Sequence, residues 1–449
     1  MSYKIGVISL GCSKNRVNSE QMMFLLDEAG HHVSGEIDGA DIVLLNTCGF
    51  IESAKTEAVE TILELTAAKH SGNIGKIIVA GCLPQRYKDE ILTELPEIDA
   101  VIGTGSFDNI VDVVEKLDIN MSGKYFGDID QPVSEIDRII STSPVWAYLK
   151  IAEGCDNRCA YCCIPDIRGR YRSRAVENII AEAEKLVERG IRELILVAQD
   201  VTNYGFDLYG EYKLTKLLEE LNSIKNLEWI RLHYMYPDRF DDALIDVIAK
   251  SDKILKYLDI PVQHINDGIL KKMNRRGNSR DIIKLLFKLR DRIPGVVIRT
   301  SLISGLPGEG EKEFNELYRF VRDSKLERVG VFVYSPEAGT TAAKMGRAPK
   351  KVAEERAEKL FGLQTQIMHE WNESRIGSVE TVLIEDMAAV IQGVEYNLAR
   401  SYAESPEIDG YILVEFKSGQ GGQGDGGVTT FAKIKITGII DGQLVGEYY

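Results

Sequence analysis

Ala147-Tyr148-Leu149-Lys150-Ile151-Ala152-Glu153-Gly154-Cys155-Asp156-Asn157-Arg158-Cys159-Ala160-Tyr161-Cys162 runs from a strand-length apolar segment into a loop of three thiols spaced by three and two residues. Three soft ligands in one tight loop call for a metal. A closed structural zinc site takes four protein ligands, whereas three thiolates on a 4Fe-4S cluster leave one iron open to another molecule. Cys163 offers a further thiol, but adjacent residues of extended backbone point to opposite sides, which argues against its completing a zinc site.

Working outward, five more strand-like runs follow Ala147–Ile151: Glu193–Val197, Trp229–Tyr234, Tyr257–Val262, Val296–Ile303 and Val329–Tyr334. Helical patterns follow each, for example Val176–Arg189 and Glu311–Asp323. Six strand-helix units with right-handed crossovers predict an incomplete (β/α)6 barrel over residues 141–372, with its site at the carboxyl ends of the strands.

Upstream, strand-like runs end at Cys12, Cys48 and Cys82, and another covers Asp99–Gly103. Short buried strands alternating with helices predict an open parallel sheet over residues 1–120, so the three cysteines share one sheet edge. A lone cysteine is most often a small core residue. Here Gly11, Gly49 and Gly81 flank the three thiols and allow a ligand close to the backbone, which favours a second three-thiolate cluster. Between Asn120 and Ser143 the pattern loses periodicity and reads as a linker.

Downstream, a charged helix over Lys351–Ser374 leads to short alternating runs at Thr381–Ile384, Tyr411–Val414 and Phe431–Ile436. They predict a small antiparallel β-barrel over residues 375–442, with Ser418–Gly427 as a flexible hairpin tip. From Ile376 onward there are eleven acids and four bases, so this module is acidic.

The whole chain of 449 residues carries a formal charge of −15. That balance disfavours a broad nucleic-acid surface and suits a basic partner. No apolar run approaches the roughly 20 residues of a membrane helix. Seven cysteines without an export signal read as reduced thiols, so no signal peptide, no membrane span and a cytoplasmic location are expected.

The CxxxCxxC loop with Tyr161 before its last thiol resembles the radical S-adenosylmethionine superfamily. With the N-terminal triad before it, the whole chain resembles the methylthiotransferase family. The matching motifs are Leu10-Gly11-Cys12, Asn46-Thr47-Cys48, Ala80-Gly81-Cys82, Glu153-Gly154-Cys155, Val197-Ala198-Gln199-Asp200, Pro261-Val262-Gln263-His264, Gly305-Leu306-Pro307-Gly308-Glu309 and Tyr334-Ser335. The C-terminal module looks like TRAM. Gly49-Phe50-Ile51-Glu52-Ser53-Ala54-Lys55 and Glu404-Ser405-Pro406-Glu407-Ile408-Asp409-Gly410 are similar to the RimO branch.

The resemblance implies two 4Fe-4S clusters, on Cys12, Cys48 and Cys82 and on Cys155, Cys159 and Cys162. It implies S-adenosylmethionine as co-substrate and a low-potential electron donor. The expected reaction inserts a methylthio group at the β-carbon of an aspartate in small-subunit ribosomal protein twelve. The acidic C-terminal module agrees, because a tRNA-gripping module should be basic. Methylthiolation of a tRNA adenosine is the rival within the same chemistry. A non-catalytic metal-binding protein that docks on ribosomes is the rival outside it.

Tyr161, Gln199 and Gly305 are expected to contact S-adenosylmethionine. His264 is read equally as a site residue or a satisfied core histidine, and His31 and His32 as solvated loop residues. Cys163 has no counterpart in the family pattern and reads as buried.

Overall fold

The computed structural model describes residues 2–118, 123–415 and 431–449. Six parallel strands open the chain: β1 (Lys4–Ser9), β2 (His32–Ser34), β3 (Ile42–Thr47), β4 (Lys76–Gly81), β5 (Ala100–Ile102) and β6 (Gly123–Tyr125), in the order β2-β1-β3-β4-β5-β6. Alternation sends Ile42 and Leu44 to one core with Met22 and Leu26, and Val43 and Leu45 to the other with Ala58 and Ile62. Both faces are covered, which is why β3 and β4 read as nearly unbroken apolar runs.

Two edge strands escape the sequence pattern, β2 and β6, each of three residues. Gly123–Tyr125 falls in the stretch read as linker, yet it pairs in parallel with Ala100–Ile102. The rest of that stretch is irregular but pinned. Arg138, 1% exposed, pairs with Glu20 at 2.6 Å and Glu182 at 2.8 Å, and Arg174 pairs with Glu135 and Glu182. His31 is also not a solvated loop residue. It is buried, its ring stacks on Tyr3 at 5.6 Å, and its Nδ1 accepts the Tyr3 N–H.

The central unit adds β7 (Trp146–Lys150), a short antiparallel pair of β8 (Ala152–Glu153) with β9 (Arg172–Ser173), then β10 (Glu193–Val197), β11 (Trp229–Leu232), β12 (Ile254–Asp259), β13 (Val297–Ser304) and β14 (Arg328–Val333). All six long strands are parallel, in the order β14-β13-β12-β11-β10-β7, so the sheet stays open between β7 and β14 as an incomplete barrel. Outward residues such as Leu194 and Leu196 pack under the crossover helices. Inward residues Ile195, Val197, Trp229 and Tyr257 meet Val17 from the N-terminal domain and Leu383 and Ala403 from the C-terminal module.

A helix over Lys350–Arg375 leads to a closed barrel of β15 (Val379–Ile391), β16 (Val394–Arg400), β17 (Ile412–Glu415), β18 (Phe431–Ile440) and β19 (Gln443–Tyr448), ordered β15-β16-β17-β19-β18. Directions cannot alternate around a ring of five, so one neighbouring pair must be parallel. That pair is β17 with β19, and the other four are antiparallel. The hairpin tip expected at Ser418–Gly427 lies outside the described residues.

Candidate active site

All three N-terminal cysteines stand just past strand ends, and their flanking glycines measure how closely the loops converge. Cys12 caps the helix Ser13–Glu28, Cys48 follows β3, and Cys82 opens the helix Cys82–Tyr87. A Cβ on Gly11 would stand 2.8 Å from Cys48 Cβ, and one on Gly49 2.9 Å from the Cys82 backbone. Gly11 and Gly81 have φ of +93° and +97°, so the tight turns that present Cys12 and Cys82 depend on glycine. Burial and then the sulfurs of Cys82 and Cys12 push the Cys48 thiol up to about 12. Burial also favours the neutral thiol of Cys12, but Lys14 and Arg168 hold it below its ordinary value. Crowded thiols beside buried cations suit a centre that takes them as thiolates.

The second loop is held from several sides. Gly154 has φ of +81°, and a Cβ there would meet Arg170 O at 1.9 Å. Cys155 N donates to Gly169 O at 3.1 Å, Cys162 N to Cys159 O at 3.0 Å, and Ala160 N to Met273 O at 2.9 Å. Ile164 N donates to Cys162 Sγ at 3.4 Å, and Arg275 Nη1 to Cys159 Sγ at 3.8 Å. Burial pushes Cys155 up to about 12. N–H groups and a guanidinium aimed at the sulfurs are what a three-thiolate iron-sulfur centre requires around it, so the residues fit that group.

Cys163 is buried against Cys82, Ile167 and Phe50, so it lies between the two triads. Among the described residues, no three or more His, Cys, Asp or Glu side chains close around one metal ion.

A cavity of about 890 Å³ opens where the N-terminal domain meets the barrel mouth. Phe50, Ile51 and Ser53, just after Cys48, face Tyr161, Ile303 and Gly305 across it. Glu337, 2% exposed, clasps the two sides by taking Lys55 at 3.0 Å and Arg86 at 2.7 Å.

Tyr161 and Gly305 thus line the cavity, and the Tyr161 hydroxyl accepts from Arg275 at 3.2 Å. Gln199 sits deeper: its Nε2 donates to Glu153 Oε1 at 2.8 Å, while its Oε1 is buried without a hydrogen-bond partner. His264 is fully buried, its Nδ1 accepts from Asn266 N, and its Nε2 lies 3.3 Å from Glu309. It does not line the cavity. Arg168, Arg275 and Glu337 were not foreseen, because each acts through partners remote in sequence and no local spacing marks it; Glu153 was quoted in a motif, but without its role of bonding Gln199 and Arg168.

An open six-stranded α/β barrel with a three-thiol loop after its first strand defines a radical S-adenosylmethionine protein. Residues 149–321 match the Radical SAM superfamily, residues 4–103 the Uncharacterized protein family UPF0004 and residues 376–448 the TRAM domain. The fold is similar to the radical S-adenosylmethionine methyltransferase TsrM of Kitasatospora setae, with a TM-score of 0.57 at 14% identity over 76% of this chain and 77% of that one.

The Ribosomal protein uS12 methylthiotransferase RimO of Acetivibrio thermocellus is 46% identical over 462 residues, covering 100% of this chain and 98% of the relative. Its namesake from Thermoanaerobacter sp. is 45% identical over 450 residues, covering 99% of each. The chain therefore belongs to the RimO methylthiotransferase family. It is a radical S-adenosylmethionine transferase, a class that implies a 4Fe-4S cluster and S-adenosylmethionine.

Proposed function

We propose that this chain inserts a methylthio group at the β-carbon of an aspartate in small-subunit ribosomal protein twelve, with two 4Fe-4S clusters. Cys155, Cys159 and Cys162 hold the one that meets S-adenosylmethionine, and Cys12, Cys48 and Cys82 hold the other. The observation that carries this reading is the shared cavity, because the loop leaving Cys48 and the strand ends around Tyr161 and Gly305 face the same space. When bound, the clusters supply one-electron chemistry and an open iron, which no side chain of this protein can.

The protein's own residues bind, orient and enclose. Tyr161 and Gly305, which line the cavity, and Gln199 beneath it are our candidates for contacting S-adenosylmethionine, and the buried Gln199 Oε1 is an unpartnered acceptor suited to its ammonium. Arg275 fixes the Tyr161 hydroxyl. The Glu337 clasp holds the Cys48 loop over the barrel, and Phe50, Ile51 and Phe332 give the space an apolar lining. Arg347 also lines the cavity and has no ion pair or hydrogen bond among the described residues, so its guanidinium is available to a substrate carboxylate.

Surface charge supports a protein over tRNA. Of the four bases counted in the C-terminal module, Arg400 is fully buried; Lys433 and Lys435 are exposed on a module that also exposes Glu395, Glu415 and Asp441, which leaves little to grip phosphates. With a ribosomal protein as substrate, our reading has the enzyme work in the cytoplasm with a low-potential carrier as electron donor; no helix among the described residues is long and apolar enough to cross a membrane.

The test offers reconstituted enzyme, S-adenosylmethionine and a reductant both ribosomal protein twelve and tRNA under anaerobic conditions, then weighs each by mass spectrometry. One methylthio group on an aspartate of the protein is expected. The same gain on a tRNA adenosine overturns the substrate assignment.

A further inference from the structure

Arg168 belongs to neither thiol triad, yet it joins them. It ends the short helix Ile164–Arg168 that follows the Cys155–Cys162 loop, and it is 3% exposed. Its Nη2 donates to Cys82 Sγ at 3.4 Å and to Asn15 Oδ1. Its Nη1 donates to Glu153 Oε1 at 2.9 Å and lies 3.3 Å from Asn18 Oδ1. Asn15 and Asn18 sit on the helix that Cys12 caps, and Glu153 sits two residues before Cys155. One planar guanidinium therefore has an edge on each metal-binding loop, a geometry that a lysine ammonium cannot reproduce.

Its charge meets a sulfur as well as a carboxylate. Among the described residues Glu153 is the one carboxylate bonded to Arg168, and it also takes Lys150 Nζ at 3.0 Å. The Arg168 guanidinium is the cation in contact with Cys82 Sγ, and the Lys14 ammonium lies toward Cys12. In a dry site such charge acts with little screening.

We propose that Arg168 is a positioning residue that raises the reduction potential of the cluster on Cys12, Cys48 and Cys82 and locks that cluster's loops to the radical loop. The inference rests on the two-cluster reading. An N–H aimed at a ligating sulfur and a full positive charge beside it both favour the more electron-rich state of an iron-sulfur centre. Removing them makes that state harder to reach.

The experiment uses the full-length chain with Cys155, Cys159 and Cys162 all changed to Ala, so that only the N-terminal cluster remains. Iron is counted, and the cluster is titrated against potential by electron paramagnetic resonance, in this parent and with Arg168→Gln or Arg168→Lys added. About four irons per chain are expected in all three, as one 4Fe-4S cluster requires. The midpoint should move to more negative potential in Arg168→Gln, and by less in Arg168→Lys, which keeps the charge but loses the fork. Equal midpoints in the three proteins overturn the proposal, as does iron loss from both variants, which would make Arg168 framework alone. A parent without iron removes the two-cluster reading, and the proposal falls with it.

Discussion

Gly305 shows what a single residue decides at the cavity. Its φ is +81°, and a Cβ there would stand 2.3 Å from the Cβ of Ala353 on the long helix. Gly305→Ala should therefore cost about 3 kcal/mol, from left-handed backbone plus overpacking, and lower the thermal midpoint. An unchanged melt would show that the helix yields there. Arg347 makes the opposite kind of case, an uncommitted charge rather than a crowded atom. Arg347→Gln should raise KM for ribosomal protein twelve about tenfold, the loss of one charge-assisted hydrogen bond, and steady-state kinetics across protein concentrations check it.

Residue identity carried the thiol triads, because cysteine spacing in a loop is local information. It did not carry Arg168 or Glu337, whose partners lie up to 282 positions away in the chain. Nor did it carry His31, where stacking on Tyr3 buries a ring that a turn-like context suggested was wet.

Among the elements, the segment Ser401–Asp409 leaves the C-terminal barrel and packs against the inner face of the central one. His233 Nε2 lies 2.9 Å from Ser405 Oγ, while the Tyr148 and Tyr257 hydroxyls donate to Glu407 at 3.0 Å and Asp409 at 2.6 Å. Glu404 pairs with Arg375 at 2.6 Å and Arg328 at 2.9 Å, and Arg400 pairs with Glu193 at 2.8 Å, all out of solvent. Acids that made this module look like an acidic surface are therefore partly internal glue. A count of charges along the sequence cannot tell a paired carboxylate from a solvated one.

Burial works to raise the Glu404 pKa, but Arg375 and Arg328 bring it from 4.5 down to about 2. Because its folded value is depressed, its contribution is complete above about 4.5 and is lost as pH falls toward 2. All three tryptophans, Trp146, Trp229 and Trp371, sit at this junction, so their fluorescence reports it. Glu404→Gln should destabilise docking by about 3–5 kcal/mol, by leaving two arginines buried against a neutral amide, and erase that acid-sensitive step. A variant whose fluorescence titrates like the parent would contradict the pairing.

Across the whole molecule, the three-part architecture was legible because each part has its own periodicity. Six buried runs with helices after them specify an open barrel, and the observed strands begin and end within a few residues of those runs. The edge strands His32–Ser34 and Gly123–Tyr125 were not legible, since three residues hold no period and their pairing comes from the sheet beside them. What joins the parts was invisible for the same reason: the pinned linker, the Glu337 clasp and the Ser401–Asp409 segment are all tertiary.

The proposed function divides the work between the two thiol triads. The most direct test compares Cys159→Ala with Cys48→Ala in reconstituted enzyme, measuring 5′-deoxyadenosine and methylthiolated ribosomal protein twelve in the same reactions. Cys159→Ala should lose both products, whereas Cys48→Ala should keep forming 5′-deoxyadenosine while making no methylthiolated protein. Equal loss of both products in the two variants would contradict the division.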